Sequence, residues 1–397
     1  MKQHTVQTTT KKKRLSRAVS SIEPSGIRRF FDLAATMEDC ISLGVGEPDF
    51  VTPWNVREAS MASLEQGYTS YTSNAGMIEL RTAISGYMFD RFGVGYDPEE
   101  EIIVTVGASE AIDLAIRATI DPGDEVLVAT PAFVSYEPLV TMSGAVPVPV
   151  PTDASTDFKL TKERLEAAIT ERSRAIILSF PNNPTGAVMN DVELQAIAEV
   201  AEAHDLLVFS DEIYAELSYD TPHTAFSALN RMRDRTVLIS GFSKAFAMTG
   251  WRLGYVCAPN DITQAMLKIH QYSLMCAPTP AQHGALEALR NGRETVEKMT
   301  NSYRARRNYI VHALNEAGLT CRFPGGSFYA FPSVEATGMD DETFAEQLLI
   351  EEKVAVVPGS VFGKGGEGHV RCSYATSMDA LQTATARIEA FVQRHAQ

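Results

Sequence analysis

A repeating pattern runs through the middle of the chain: a short run of aliphatic residues, a few polar or small residues, and then an amphipathic segment. We predict strands at six of the aliphatic runs, namely residues 102–106, 125–129, 175–180, 206–210, 237–240 and 253–257. Runs with so few polar positions are typical of strands covered on both faces, as in a mostly parallel sheet between helices. The amphipathic segments, such as residues 111–120 and 193–204, supply those helices. The pattern therefore predicts an α/β fold.

The pattern changes near residue 290, and the change predicts a second unit. A charged stretch at residues 290–301 opens a long helical segment. Short strands are predicted beyond it, at 325–331, 354–357 and 369–373. A chain of 397 residues is also too long for one small core. We expect these segments in chain order: a flexible tail at 1–24, a large α/β domain at 51–290 and a small α+β domain at 291–397.

The composition is that of a globular enzyme. Hydrophobic residues make up 45% and charged residues 21% of the chain, which is far from a disordered or fibrous composition. The formal net charge is −15, whereas proteins that bind DNA or RNA nonspecifically need basic surfaces to neutralise phosphates. We therefore expect small molecules, and no nucleic acid, as partners.

Cysteine and histidine usage gives no sign of disulfides or of a metal. The five cysteines are scattered and never form a Cys-x-x-Cys pair, as expected in a reducing cytoplasm, and the eight histidines form no ligand cluster. No apolar run approaches the roughly 20 residues that cross a bilayer, and residues 1–17 lack the apolar core of a secretory signal. We expect a cytoplasmic protein with no bound metal and no membrane contact.

Candidate chemistry lies in the loop between the last two predicted strands of the large domain. The stretch reads Ser240-Gly-Phe-Ser-Lys-Ala-Phe-Ala-Met-Thr-Gly-Trp-Arg252 and carries Lys244. A lysine amine that condenses with an aldehyde must be partly desolvated and close to other cations, because both lower its pKa and free its lone pair. Arg252 supplies such a charge, and open α/β sheets bind ligands at their strand ends. Lys244 is therefore the candidate nucleophile, although a lysine in a loop is more often a solvated charge.

Other motifs also stand at the ends of predicted strands. The turn at residues 106–110, with Ser109 as the expected N-cap of the following helix, suits a phosphate because a helix N-terminus presents free N–H groups. Asp211 follows a second strand, and an Asn-Pro-Thr-Gly turn begins at Asn183 after a third. Taken singly, these motifs indicate ordinary turns and caps. Their common location makes them candidate site residues.

In this order, the motifs resemble those of the class I/II aminotransferases, pyridoxal-phosphate enzymes of fold type I. The resemblance extends from about Ser25 to Tyr374 and is greatest to bacterial enzymes related to aspartate and N-acetyl-diaminopimelate aminotransferases. It implies that pyridoxal 5′-phosphate is the cofactor and that its aldehyde condenses with Lys244. It also implies that residues 51–290 bind the cofactor and that residues 25–50 join the small domain.

The resemblance assigns roles around the cofactor ring. Asp211 is implied to face the ring nitrogen, which has to stay protonated while the substrate's α-proton leaves. Tyr214 and Asn183 are implied to bond the phenolate oxygen, and Phe133 to stack on the ring. For Phe133, ordinary core packing is an alternative role.

The phosphate has its own implied partners. These are the amides of Ala108 and Ser109, the guanidinium of Arg252 and, from a neighbouring subunit, Tyr71. One position departs from the family, because Gly241 stands where many members have a serine or threonine that touches the phosphate. Ser240 or Ser243 could take over that contact. If Tyr71 crosses between subunits, the active form is a homodimer with shared sites.

The resemblance implies that an amino group moves from an α-amino acid to a 2-oxo acid, expected to be 2-oxoglutarate, in a ping-pong cycle. Arg371 provides the planar fork that a substrate carboxylate requires, and the backbone of Gly46 and the side chain of Asn183 lie beside it by resemblance. Lys244, once freed, is expected to act as the base that moves the α-proton.

Two alternatives remain from the sequence. A C–S β-lyase has the same fold and the same cofactor motifs, and it differs in releasing pyruvate and ammonia. A cofactor-sensing regulator would need a DNA-binding domain, and the segment ahead of Ser25 is too short for one. The substrate's distal group is open as well: Ser109 stands where some aspartate-specific relatives have a lysine, and Arg28 or Arg29 could reach the pocket mouth.

Overall fold

The structure, a computed structural model, describes residues 14–24, 26 and 37–395. Its strands are β1 (Ile41–Ser42), β2 (Ile102–Thr105), β3 (Glu125–Thr130), β4 (Val146–Pro151), β5 (Ser173–Ser179), β6 (Leu207–Asp211), β7 (Thr236–Gly241), β8 (Gly254–Cys257), β9 (Tyr329–Ala330), β10 (Val354–Ala355), β11 (Val357–Pro358) and β12 (Val370–Ser373). Its α-helices are α1 (Arg17–Ser20), α2 (Trp54–Glu65), α3 (Ile78–Phe92), α4 (Ala108–Thr119), α5 (Tyr136–Met142), α6 (Lys162–Ala168), α7 (Asp191–Ala203), α8 (Asn260–Ser273), α9 (Thr279–Asn291), α10 (Arg293–Glu316), α11 (Asp341–Glu352) and α12 (Met378–His395).

Seven strands form the central sheet, in the order β2-β8-β7-β6-β5-β3-β4. Every pair is parallel except the two pairs made by β8, which runs against β2 and β7. Strands β2, β3, β7 and β8 are buried at every position, as the aliphatic runs predicted, and β5 is buried at all positions except Arg174. The α/β prediction is confirmed. The carboxyl ends of β2, β3, β5, β6 and β7 share one edge of the sheet, which is where open sheets bind ligands.

Strand β4 is the one that the pattern did not predict. Its sequence is Val-Pro-Val-Pro-Val-Pro, and proline cannot donate a hydrogen bond to a neighbouring strand. The strand lies at the outer edge of the sheet and pairs only with β3. An edge strand tolerates proline because one side of its ladder is unpaired. Its position in the sheet, and not its local sequence, makes it a strand.

Helix α4 begins one turn earlier than predicted. Its N-cap is Gly107, with a φ of 79°, and Ser109 lies inside the first turn, so the prediction of Ser109 as N-cap was wrong. Glycine adopts this left-handed backbone without a Cβ clash. The turn after β2 therefore ends at Gly107, and the helix begins before Ser109. The helix packs its apolar face on the sheet through Ile112, Leu114 and Ile116.

A second core is formed by the C-terminal part of the chain. Strands β9, β11 and β12 form an antiparallel sheet, and β1 pairs in parallel with β10, from Ile41 opposite Val354. Helices α10, α11 and α12 pack on this unit. The predicted long helical segment is confirmed as α10, which has 24 residues and begins after Gly292. The sequence spacing at residues 25–35 also predicts a helix, and of these residues all but residue 26 lie outside the described part of the chain.

Within the described ranges, no helix combines the length and apolarity that a bilayer crossing requires. A search of the same residues finds no group of three or more histidine, cysteine or carboxylate side chains placed to hold a metal ion. The described cysteines are all free thiols.

Candidate active site

A cavity of about 750 Å³ opens at the carboxyl edge of the central sheet, next to the second core. Pockets of this size hold small-molecule ligands and cofactors. Eleven of the thirteen site residues from the sequence line it: Gly46, Ala108, Ser109, Phe133, Asn183, Asp211, Tyr214, Ser243, Lys244, Arg252 and Arg371. Tyr71 and Ser240 do not.

One end of the cavity is built to hold an anion. Arg252 lies across Gly107, so closely that a Cβ at Gly107 would be 2.6 Å from the arginine Nη2. Gly254 makes the same approach from β8, since a Cβ there would be 2.7 Å from the amide nitrogen of Ala108. Ala108 and Ser109 are the first residues of α4, and their N–H groups have no partner within the helix. A helix N-terminus beside a guanidinium can hold a phosphate, so this end of the cavity is a candidate phosphate site.

Lys244 lies near the middle of the cavity, in the loop after β7. Its Nζ donates a 2.6 Å hydrogen bond to the carbonyl oxygen of Gly46. Gly46 itself fits closely against Tyr329, because a Cβ at this position would be 2.5 Å from the tyrosine Oη. Thr249, which follows in the same loop, donates to the carboxylate of Glu47 at 3.0 Å. The segment around Gly46 therefore closes over the lysine loop.

The surroundings of Lys244 favour its neutral amine. Burial lowers the pKa of Lys244 to about 8, and the positive charges of Arg371 and Arg252 act in the same direction. The carboxylates of Glu47 and Asp211 oppose the shift. The neutral amine, which is the nucleophile, is therefore abundant at a pH far below the ordinary lysine pKa of 10.5.

This lowered pKa makes a testable prediction for the cofactor-free protein. Because only the neutral amine attacks an aldehyde, covalent capture of pyridoxal phosphate by Lys244 should accelerate with rising pH and level off above a midpoint near 8. Stopped-flow absorbance at a series of pH values measures the midpoint, with N-acetyl-lysine as the unperturbed control. A midpoint equal to that of the control would contradict the role of burial.

Asp211 ends β6 and is buried in the floor of the cavity. Tyr136, on α5, donates a 2.6 Å hydrogen bond to its Oδ2, and the amide of Ile213 donates to Oδ1. Burial raises the pKa of Asp211 to about 6, while the bond from Tyr136 acts to lower it. The carboxylate is therefore ionised at neutral pH and is available to pair with a buried cation. Tyr136 was missed from the sequence, where it reads as a core aromatic.

Tyr214 and Tyr329 form a buried pair, with 2.9 Å between their hydroxyl oxygens. Tyr214 follows β6 and Tyr329 lies in β9, so the pair connects the end of a central-sheet strand to the second core, in which both rings are buried. Both line the cavity. Tyr329 was also missed: its sequence neighbourhood, residues 325–331, indicates only a strand.

Arg371, in β12, is 3% exposed and is held from several sides. Its Nη1 donates to Asn183 Oδ1 at 2.8 Å and its Nη2 to the carbonyl oxygen of Gly44 at 2.6 Å. The guanidinium lies between two rings, with its Cζ 4.4 Å from the centroid of Tyr329 and 4.9 Å from that of Phe362. Its Nε is buried and has no hydrogen-bond partner among the described residues.

The two candidate serines differ in position. Ser240 donates to the backbone oxygen of Glu212 at 3.3 Å, away from the cavity, whereas Ser243 lines the cavity beside Lys244. Gly241 has no room for a side chain, since a Cβ would be 2.9 Å from the Cα of Gly254. This close contact with β8 is a physical reason for the glycine.

The two remaining predictions concern Tyr71 and the arginines at positions 28 and 29. Tyr71 is 79% exposed and lies on the protein surface. Its neighbours are held in place, because Thr279 donates to the backbone oxygen of Ser70 and Gln282 to the hydroxyl of Thr72. Residues 28 and 29, both arginine, lie outside the described residues.

The cavity thus combines a lysine with a lowered pKa, a buried carboxylate, a candidate phosphate site and a buried arginine at the carboxyl edge of a mostly parallel sheet. The phosphate site and Asp211 lie on either side of Lys244 along the same sheet edge. These residues fit pyridoxal phosphate, whose aldehyde, ring nitrogen and phosphate need an amine, a carboxylate and an anion site. Fold and site define an α/β enzyme that binds this cofactor through a lysine.

Comparison with known proteins identifies the family. The model of "Aminotransferase class I and II" matches residues 38–388. The chain is 60% identical over 380 residues to "Putative aminotransferase YugH" of Bacillus subtilis, covering 96% of this chain and 98% of the relative. It is 45% identical to the aspartate aminotransferase of Pyrococcus abyssi, covering 94% and 97%. The crystal structure of an aromatic aminotransferase from Pyrococcus horikoshii superimposes with a TM-score of 0.88 at 43% identity, covering 92% of this chain and 99% of that one.

The chain belongs to the class I and II aminotransferases. It is a transaminase that uses pyridoxal phosphate and acts on amino acids and 2-oxo acids. The expected fold, cofactor and enzyme class are therefore confirmed. The relatives named above are aminotransferases, and nothing in the comparisons favours the lyase or the regulator.

Proposed function

We propose that this aminotransferase transfers the amino group of an α-amino acid to 2-oxoglutarate, with Lys244 as the covalent and proton-transferring residue. One observation carries the proposal: the amine of Lys244, the carboxylate of Asp211 and the guanidinium of Arg371 all face a single cavity. An amine with a pKa near 8 suits both attack on an aldehyde and proton transfer at neutral pH.

The cofactor supplies an electron sink for the carbanion when it is bound. Asp211 pairs with its protonated ring nitrogen, a charge-assisted bond that contributes about 1.5–3 kcal/mol. Tyr214 donates to the phenolate oxygen. Asn183 donates to the same oxygen through its amide nitrogen, since Arg371 already occupies the amide oxygen. Phe133, half-buried in the cavity wall, stacks on the ring.

The phosphate is held by the amides of Ala108 and Ser109 and by Arg252. The closeness of Arg252 to the backbone of Gly107 supports this assignment, because backbone N–H groups and guanidinium then converge on one anion. Ser243, which lines the cavity, adds the hydroxyl that position 241 lacks.

Arg371 binds the substrate's α-carboxylate through its Nη atoms, since each keeps a second N–H beyond the bonds to Asn183 and Gly44, and the backbone of Gly46 lies beside it. This geometry orients the substrate's α-carbon toward Lys244, whose Nζ is hydrogen-bonded to the carbonyl of Gly46. Once released from the cofactor, the amine is held close to the proton it moves. The ping-pong order follows because one site serves both amino donor and 2-oxo acceptor.

The amino donor is tested with a panel of amino acids against 2-oxoglutarate. We expect glutamate and the donor's 2-oxo acid to form in equal amounts, because the nitrogen stays on the cofactor between half-reactions. Chromatography with an ammonia assay measures both products. Release of pyruvate and free ammonia without use of 2-oxoglutarate would show a β-lyase instead.

Recognition of a distal carboxylate is a narrower part of the proposal. Among the described residues that line the cavity, the cations are Lys244, Arg252 and Arg371, and each has a proposed role. We propose that Arg28 or Arg29 contacts the distal group of dicarboxylic substrates. Alanine variants of each, compared on aspartate and on a neutral amino acid, test this: unchanged selectivity in both rejects it.

We propose a cytoplasmic homodimer in which Tyr71 contacts the phosphate in the partner's site. Its 79% exposure supports an intermolecular contact, as does the anchoring of its neighbour Ser70 by Thr279. The assignment of residues 51–290 to a large domain and 291–397, with 25–50, to a small one is supported by the pairing of β1 with β10.

Hybrid dimers provide the sharpest test of the shared site. Lys244→Ala should inactivate its own homodimer. Tyr71→Ala should weaken its homodimer, with a loss of about 10- to 100-fold in cofactor affinity, which corresponds to one charge-assisted bond. In a hybrid of the two variants, one site has both Lys244 and Tyr71 if Tyr71 crosses the interface. Mixing tagged subunits and assaying the purified hybrid should therefore restore activity. A hybrid that binds the cofactor no more tightly than the Tyr71→Ala homodimer would show that Tyr71 serves its own subunit.

A further inference from the structure

Tyr329 occupies a junction between two parts of the active site. It is 1% exposed, its hydroxyl oxygen is 2.9 Å from that of Tyr214, and the Cζ of Arg371 is 4.4 Å from its ring centroid. Tyr214 belongs to the cofactor side of the cavity and Arg371 to the substrate side. Tyr329 contacts both.

The position of the Tyr329 hydroxyl is narrowly constrained. The backbone of Gly46 leaves no space beside it, since a Cβ there would be 2.5 Å from the oxygen. The ring packs edge-on against Tyr214, with 5.9 Å between centroids, and against Phe328 at 4.9 Å. Such packing fixes the direction of the hydroxyl, so the bond to Tyr214 is preorganised.

A count of protons assigns the direction of this hydrogen bond. Each phenol carries one proton, and in the proposed function Tyr214 donates its own to the cofactor's phenolate oxygen. The proton between the two hydroxyls must then come from Tyr329. A hydrogen bond received by Tyr214 polarises its O–H group and strengthens the bond that it donates.

We propose that Tyr329 is a positioning residue that donates to Tyr214 and links the charge at Arg371 to the strength of the bond between Tyr214 and the cofactor. The proposal rests on the proposed roles of Tyr214 and Arg371. When a substrate carboxylate compensates the charge of Arg371, Tyr329 becomes a weaker donor. Binding of a carboxylate at Arg371 would therefore weaken the hydrogen bond that Tyr214 donates to the cofactor's phenolate oxygen, next to the position at which Lys244 would attach.

The charges near Tyr329 agree with the proposal that Arg371 makes Tyr329 a stronger hydrogen-bond donor. Burial raises the pKa of the Tyr329 phenol, and the positive charge of Arg371 acts to lower it. A lower phenol pKa means a stronger donor. The negative charge of Glu47 acts to raise the pKa of Tyr329.

Replacing Tyr329 leaves in place the charged groups that act on the pKa of Lys244. They are Glu47, Arg371, Asp211 and Arg252. Tyr214 is influenced by Tyr329 itself, by Arg371 and by Asp211. Removal of one hydroxyl therefore changes a single contact while leaving every charged group in place.

The test compares the purified holoenzyme with its Tyr329→Phe variant, by following the absorbance of the bound cofactor against pH. Donors to the phenolate oxygen favour loss of the proton shared with the Lys244 nitrogen. We therefore expect the absorbance transition of Tyr329→Phe to move to higher pH, by about 0.5 to 1 unit for one neutral hydrogen bond. Tyr214→Phe should move it in the same direction, and adding Tyr329→Phe to Tyr214→Phe should produce no further shift.

Tyr374→Phe is the matched control. Tyr374 is fully buried and donates to the hydroxyl of Tyr219 at 3.3 Å. These two residues form a second tyrosine pair, which lies outside the cavity. Its loss should leave the transition at the wild-type pH. If Tyr329→Phe does not fold, site-specific incorporation of a fluorinated tyrosine at position 329 keeps the shape and makes the phenol a stronger donor. The transition should then move to lower pH.

A second measurement probes the link to the carboxylate site. Saturating propionate, a carboxylate that cannot react, should raise the transition pH of the wild-type enzyme, and by less in Tyr329→Phe. Equal transitions and equal propionate effects in the two proteins would overturn the inference. If Lys244→Ala leaves the pH dependence of the cofactor absorbance unchanged, the proposed function is wrong instead. The two failures are therefore distinguishable.

Discussion

Replacement of Lys244 by alanine should abolish transamination, even in protein saturated with pyridoxal phosphate. The variant loses both the covalent attachment and the amine that moves the proton. A positioned general base alone contributes about 10²- to 10⁴-fold to the rate, so kcat should fall by at least this factor. Coupled assays of 2-oxo acid formation measure the loss, and borohydride reduction followed by peptide mapping shows whether position 244 carries the cofactor.

Lys364→Ala is the control for this experiment. Lys364 is an exposed lysine outside the cavity, and its removal should leave kcat unchanged. Ordinary turnover by Lys244→Ala, or a cofactor label on another peptide of the wild-type enzyme, would contradict the role of Lys244.

Replacement of Arg371 by alanine should have the second largest effect. Truncating one member of a buried charged pair costs about 2–5 kcal/mol, which corresponds to roughly 30- to 5,000-fold in kcat/KM. The loss should appear mainly as a higher KM, and for every α-amino acid alike, because all share the α-carboxylate. Arg371→Lys should recover only part of it, since an ammonium keeps the charge and lacks the planar fork.

Arg307→Ala separates this effect from a general loss of packing. Arg307 is another buried arginine, 5% exposed, and it pairs with Asp220 away from the cavity. We expect its removal to lower the melting temperature without changing KM. If Arg371→Ala also lowers only the melting temperature and leaves KM unchanged, the α-carboxylate binds elsewhere.

The placement of Lys244 and Asp211 could be predicted because it follows from strands and order alone. Six aliphatic runs indicate strands, and parallel strands bring their carboxyl ends to one edge, so the polar residues after those runs meet there. Nine of the eleven predicted residues that line the cavity follow these strands, whereas Gly46 and Arg371 reach it from β1 and β12 of the second unit. Their proposed roles remain to be tested by the variants above.

The contacts of Tyr136 and Tyr329 could not be predicted in the same way. Tyr136 and Asp211 are 75 positions apart in the chain, and Tyr329 and Tyr214 are 115 apart. A local pattern identifies each tyrosine as a buried aromatic, but it holds no information about which polar group its hydroxyl meets. That depends on how α5 and β9 pack against the sheet end.

The sequence by itself determined the α/β class, the motif order and the residues that gather at the sheet edge, because hydrophobic periodicity and strand direction are local properties. Only the tertiary structure decided that Val146–Pro151 is an edge strand, that Gly107 caps α4 and that Arg371 lies between Tyr329 and Phe362. The physical reason is the same in each case. Edge position, backbone approach and ring packing are set by atoms far away in the chain, and these come together only when the two cores close around the cavity.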